Sequence, residues 1–129
     1  MNITIVDYNL GNIRSVSNML GILKNVKVKV SNNRNEILKS DKLILPGVGA
    51  YGNAMDRISK LELNSTINEF AKTGNSILGI CLGMQLLFEG SNEMGYNKGL
   101  GLISGKDEKI PSKTCQILPN IGYYKLNFK

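Results

Sequence analysis

The 129-residue chain contains no histidine and no tryptophan, only two cysteines and three prolines, and 6% aromatic residues. Lack of histidine removes the side chain that most often works as an acid–base near neutral pH and as a metal ligand. The cysteines, Cys81 and Cys115, have no CxxC partner, so the chain offers no zinc-ligand pattern, and no metal or other cofactor is expected. They are read as separate thiols rather than a disulfide, because the N-terminus runs directly into NITIVDY without a secretory leader. No apolar run approaches the roughly 20 residues of a membrane span. A cytoplasmic chain without membrane association is expected. The formal charge of +6 comes from scattered lysines, and with so few aromatics to stack on bases, nucleic acid is not expected as a partner.

What is present is a globular balance, 42% hydrophobic and 20% charged, without an internal repeat or a linker, so residues 1–129 are read as one domain. Asn2 to Val6 reads as a strand, and Ile13, Val16, Leu20 and Leu23 as one face of a helix. In VKVKV, Val26 to Val30, three valines alternate with Lys27 and Lys29, the pattern of an edge strand whose lysines discourage pairing with another molecule. Glu36 to Leu38 is read as helical and DKLILP as a third strand stopped at Pro46, after which a glycine-rich loop leads into a segment around Ala54 to Ile58. Leu63, Ile67, Phe70 and Ala71 mark a further helix, closed at Gly74. Ser76 to Ile80 is a short apolar fourth strand, followed by a helix over Met84 to Phe88. Strands alternating with helices predict a parallel sheet with helices on both faces, a three-layer α/β domain. Beyond Glu89 the text is read as mostly loop, with a short strand near Leu102 and Ile103 and two more in KTCQILP and YYKLNF.

The segment GICLGMQ places Cys81 between Gly79 and Gly83 at the end of a strand and the start of a helix. This G-x-C-x-G layout matches the nucleophile elbow, in which a sharp turn leaves no space for neighbouring Cβ atoms and exposes the central side chain. Ligands collect at the carboxyl ends of parallel strands, and free backbone N–H groups there can receive a developing oxyanion. The Leu82 N–H is the first such donor, and the loop PGVG, Pro46 to Gly49, at the end of the third strand is the source of a second. Cys81 is therefore the candidate nucleophile of an acyl-transfer site.

ILGICLGMQLLFEGS closely resembles the nucleophile segment of the class I glutamine amidotransferases, and within them of the glutaminase subunits of imidazole glycerol phosphate synthases. IVDYNLGNIRSV, DKLILPGVGAYGNAM, GLGLISG and LPNIGYYKL are similar to further segments of that family in the same order. The resemblance implies a flavodoxin-like domain that hydrolyses L-glutamine to glutamate and ammonia through a thioester on Cys81. It implies that backbone N–H groups of Leu82 and of the Gly47, Val48 and Gly49 loop hold the oxyanion, and that Gln85 helps fix the substrate glutamine. It also implies a heterodimer with a (β/α)8-barrel, HisF-like synthase subunit that takes up the ammonia for histidine biosynthesis.

Several positions depart from the family. Its activating histidine and its glutamate have no counterpart in these 129 residues, so the domain is expected to be shorter than complete by roughly a third, incomplete at its C-terminus and inactive alone. Asn120 replaces a histidine, Tyr123 and Tyr124 replace Trp-Asn, and Asn9 stands where a glycine is usual. The altered LPNIGYYKL also admits a paralogue that supplies an amino-sugar biosynthetic enzyme, and the missing base admits a non-catalytic remnant that still binds a barrel partner. Asn12 is read as a helix cap, Asp7 and Glu69 as structural or solvated acids, Cys115 as core, and the paired tyrosines as strand packing or partner surface. An unpaired sheet edge with exposed apolar surface is expected to make the isolated chain poorly soluble.

Overall fold

Side chains that alternate along a strand are sorted onto the two faces of a sheet. In a computed structural model, which describes residues 1–110 and Lys125, this happens in β1 (Asn2–Val6) and β3 (Lys42–Leu45). Ile3, Ile5 and Ile44 face one side, while Val6, Leu43 and Leu45 face the other. With β2 (Lys27–Ser31) and β4 (Ile77–Gly79) they form a four-stranded parallel sheet in the order β2-β1-β3-β4. Every strand but the last is followed by a helix-length connection, as the α/β reading requires.

The larger core lies under α2 (Arg34–Leu38), α3 (Tyr51–Lys60) and α4 (Leu63–Lys72). α3 buries Tyr51, Ala54, Met55 and Ile58, and α4 buries Leu63, Thr66, Ile67 and Phe70. Both sets follow the i, i+3, i+4, i+7 spacing of one apolar stripe. Each fully buried Leu, Ile or Phe contributes about 1.5–3 kcal/mol relative to exposure, so this face dominates the stability of the sheet. Gly74, at φ +81°, follows the end of α4 in the left-handed position that suits glycine. On the opposite face stands α1 (Ile13–Leu20), whose Ile13, Val16 and Leu20 pack on Ile3, Ile5 and Ile44, yet no residue of α1 is fully buried.

β2 is an edge strand, as the lysines predicted, and Lys29 pairs with Glu36 at its surface. Hydrogen bonds from Lys29 and then Ser31 hold the Glu36 carboxyl below its ordinary range. Val26 and Val28 contact the α1-side cluster, but Val30 is exposed, so the expected three-valine face is only partly covered.

The predicted helix over Met84 to Phe88 is displaced. α5 is a single turn, Leu82–Gln85, and Phe88 opens β5 (Phe88–Ser91). The reason is long-range: the Leu86 carbonyl accepts from Leu100 N at 2.9 Å, and the Leu87 carbonyl from Leu102 N at 2.8 Å and Ile103 N at 2.9 Å. Those bonds take the carbonyls that a longer helix would use. The glycine-rich text read as mostly loop contains a second sheet, β6 (Asn97–Lys98), β5 and β7 (Ile103–Asp107), in the order β6-β5-β7. KTCQILP and YYKLNF, with Cys115, Asn120, Tyr123 and Tyr124, lie outside the described residues. Among the described residues no helix is long and apolar enough to cross a membrane.

Candidate active site

In the order β2-β1-β3-β4 the chain moves one way from β1 and the other way to β3, so the topological switch lies between β1 and β3. Sheets of this kind open a crevice at that point, outside the carboxyl ends of the strands. Three connections meet there: Asp7 to Asn12 after β1, Pro46 to Ala50 after β3, and Ile80 to Cys81 after β4.

Cys81 is exposed, unpaired, and sits at φ 55°, ψ −121° ahead of α5. A non-glycine residue in that region is strained by about 1–3 kcal/mol, and the surroundings hold it there. Ile80 N donates to the Leu45 carbonyl at 3.0 Å, tying the elbow to the end of β3. The Cys81 carbonyl accepts from Met84 N at 2.9 Å and Gln85 N at 3.3 Å, beginning the helical turn. The Leu82 N–H has no backbone acceptor among the described residues.

The flanking glycines are required by close approach. A Cβ on Gly83 would run into the carbonyl of Leu45, and one on Gly79 would lie 2.6 Å from Met84 N. A Cβ on Gly47 would lie 2.6 Å from Gly83 N and 2.9 Å from Leu82 Cβ. The PGVG loop and the cysteine elbow are thus in backbone contact. Pro46 and Gly47 are buried, whereas Val48 and Gly49 are exposed, with Gly49 at φ +98°.

Gln85 stands one turn after Cys81. Its Nε2 donates to Asp107 Oδ1 at 3.1 Å, and Ser91 Oγ donates to Asp107 Oδ2 at 3.1 Å. These three residues, with Glu93 and Lys109, line a cavity of about 430 Å³. Glu93 Oε2 accepts from Tyr51 N at 2.7 Å, at the start of α3. A larger cavity, about 610 Å³, lies by the first residues of β1 and β2, lined by Asn2, Thr4, Lys27 and Lys29. It is at the other end of the sheet from Cys81, and its size does not make it the reactive site. Among the described residues no group of three or more His, Cys, Asp or Glu side chains is placed to hold a metal.

Sequence reasoning missed three residues. Tyr8 is fully buried and donates its hydroxyl to the Pro46 carbonyl. Burial, and secondarily the charge of Cys81, push its phenol up to about 12. A strand-end tyrosine in IVDYN was the only available signal. Glu93 and Asp107 had none, because their neighbours were read as loop and the second sheet that aligns them is formed by distant segments.

The remaining polar residues resolve simply. Asn12 caps α1 by accepting from Ser15 N at 3.2 Å. Asp7 accepts from Asn9 N at 3.0 Å, and Glu69 pairs with Arg34 on the surface. Asn9 lies at φ 61°, a region that Asn is among the few non-glycine residues to visit routinely.

Comparison with known proteins adds an independent line. The family profile described as "Glutamine amidotransferase class-I" matches residues 4–123. Over 127 residues the chain is 45% identical to "Imidazole glycerol phosphate synthase subunit HisH" of Listeria monocytogenes serotype 4b (strain CLIP80459), covering 98% of this chain and 61% of that protein. Proteins of the same name from Lactococcus lactis subsp. lactis (strain IL1403) and Helicobacter hepaticus (strain ATCC 51449 / 3B1) are 47% and 39% identical, over 97% and 99% of this chain and 60% and 63% of their own lengths. The chain therefore spans about three fifths of the length of these curated relatives.

Proposed function

Since the chain belongs to the class I glutamine amidotransferases, we propose that it acts as the nucleophile-bearing region of a cytoplasmic glutaminase subunit of an imidazole glycerol phosphate synthase. The observation that carries this reading is the strained, exposed Cys81 at a glycine elbow in backbone contact with a second glycine loop.

In the reaction, the Cys81 sulfur forms a bond to the side-chain amide carbon of L-glutamine, and the carbonyl electrons move onto oxygen. The Leu82 N–H and a donor of the Gly47 to Gly49 loop receive that oxyanion. When it collapses, the C–N bond breaks and nitrogen leaves with a proton as ammonia, giving a thioester that water cleaves to glutamate. The carboxylates of Glu93 and Asp107 suit the α-ammonium of glutamine, and they line one cavity with Gln85, which Asp107 holds. The proton transfers need a base. These 129 residues contain no histidine to supply it. Ammonia passes to a (β/α)8-barrel synthase partner, in keeping with the synthase-subunit name of the relatives.

Glutamate release from glutamine, measured with and without a barrel synthase subunit, tests the reading. Cys81→Ser is expected to lower the rate by at least about a thousandfold; retention of activity would remove Cys81 from the chemistry. An electrophilic chloroketone analogue of glutamine should label Cys81 stoichiometrically, and excess glutamine should protect it. A second reading, a subunit that only binds a barrel partner, answers to the same experiments. Barrel binding without hydrolysis or glutamine-protected labelling would select it.

A further inference from the structure

The geometry points to Tyr8 as a positioning residue that sets the oxyanion loop across the β1/β3 switch-point crevice, an inference that rests on the glutaminase reading above. Tyr8 follows β1, and its hydroxyl donates to the carbonyl of Pro46, which follows β3. The bond therefore bridges the place where a sheet of this order opens. The Pro46 carbonyl and the Gly47 N–H belong to one planar peptide and point in opposite directions. Holding the oxygen fixes that plane, and with it the direction from which the chain enters Val48 and Gly49.

Two further contacts make this more than a buried tyrosine finding a partner. A Cβ on Gly47 would lie 2.8 Å from the Tyr8 hydroxyl and 2.6 Å from Gly83 N, so Gly47 is pressed between the phenol and the cysteine elbow. On the same β1 connection, a Cβ on Gly11 would stand 3.0 Å from the Pro46 ring. Past Gly47 the support ends: Val48 is half exposed and a Cβ on Gly49 would meet nothing within 4 Å. The donors at the tip of the loop take their direction from its clamped base, and Tyr8 supplies the one hydrogen bond of that clamp among the described residues.

Tyr8→Phe keeps the ring and removes only the hydroxyl, and two measurements on the protein, alone and with its synthase partner, read the result. Amide hydrogen exchange at Gly47, Val48 and Gly49 is expected to speed up at least about tenfold while the α3 and α4 amides hold. Inactivation by the glutamine chloroketone passes through an oxyanion, whereas alkylation by iodoacetamide does not. The first rate is expected to fall about tenfold, at unchanged half-saturating concentration, while the second stays within twofold. Tyr96→Phe, at an exposed tyrosine, should change neither. Unchanged exchange at the three loop amides overturns the tether, and equal slowing of both reagents overturns its role in the chemistry. Failure of the chloroketone to label the unsubstituted protein sinks the glutaminase reading and the chemical role together, and the exchange result then decides the tether alone.

Discussion

The residues around Cys81 trade stability for geometry, and substitution can separate the two. Cys81 is exposed and held at positive φ, so replacing it removes little packing. Cys81→Gly is expected to be more stable than Cys81→Ala by about 1 kcal/mol in urea unfolding, the reverse of the ordinary order, because glycine alone relieves the backbone strain. The glycines differ in a readable way. Gly83→Ala puts a methyl into the Leu45 carbonyl, and the displacement of backbone by backbone should lower the melting temperature sharply or prevent folding. Gly49→Ala meets no neighbour and suffers only its positive φ, a cost of about 1–2 kcal/mol. Comparable melting temperatures for the two would contradict the backbone contact between the elbow and the end of β3.

At the scale of elements, the two faces of the sheet are not equally covered. α4 presents a complete buried stripe ending in Phe70, which is fully buried, and Phe70→Ala should cost about 3–5 kcal/mol. α1 is only partly buried along Val16 and Leu20, so Val16→Ala should cost near 1 kcal/mol, since much of the side chain already meets water. The stripe of α4 was legible in the sequence. It repeats every three or four residues, and periodicity of that kind depends only on local geometry. α5 was less so, because its length is decided by which carbonyls residues 100–103 reach, and no window around Cys81 contains that information.

For the whole molecule, the exposed apolar residues on the α1 side and the buried phenols set the response to solvent. Met19, Leu78 and Ile80 are exposed on the α1 side of the sheet, where they line an apolar depression with Val16, Leu20 and Ile44. Self-association is expected as concentration rises, and Leu78→Lys should reduce it in sedimentation velocity experiments with little change in melting temperature. The pH response follows from Tyr8 and Tyr51. Burial raises both phenols to about 12, helped at Tyr51 by Asp107 and Tyr96. The folded state keeps these protons after the unfolded chain, titrating near 10, has released them. Their contribution is therefore complete below about pH 10 and lost as pH rises towards 12. Denaturant midpoints should fall through that window, and Tyr8→Phe should flatten part of the fall; a midpoint that stayed level in both proteins would show that neither phenol is shielded.

Sequence alone determined the parallel α/β arrangement, the edge character of β2, the stripe of α4, and the glycine elbow around Cys81. Each is written in neighbours a few residues apart, through helical or strand period and through glycine where the backbone must turn. Only the tertiary structure decided that Tyr8 reaches Pro46, that Gly47 and Gly83 bring two loops into contact, and that Glu93 and Asp107 stand beside Gln85. Those relations join segments far apart in the chain, and their physical cause is the order of strands in the sheet, which brings their ends together whatever lies between them.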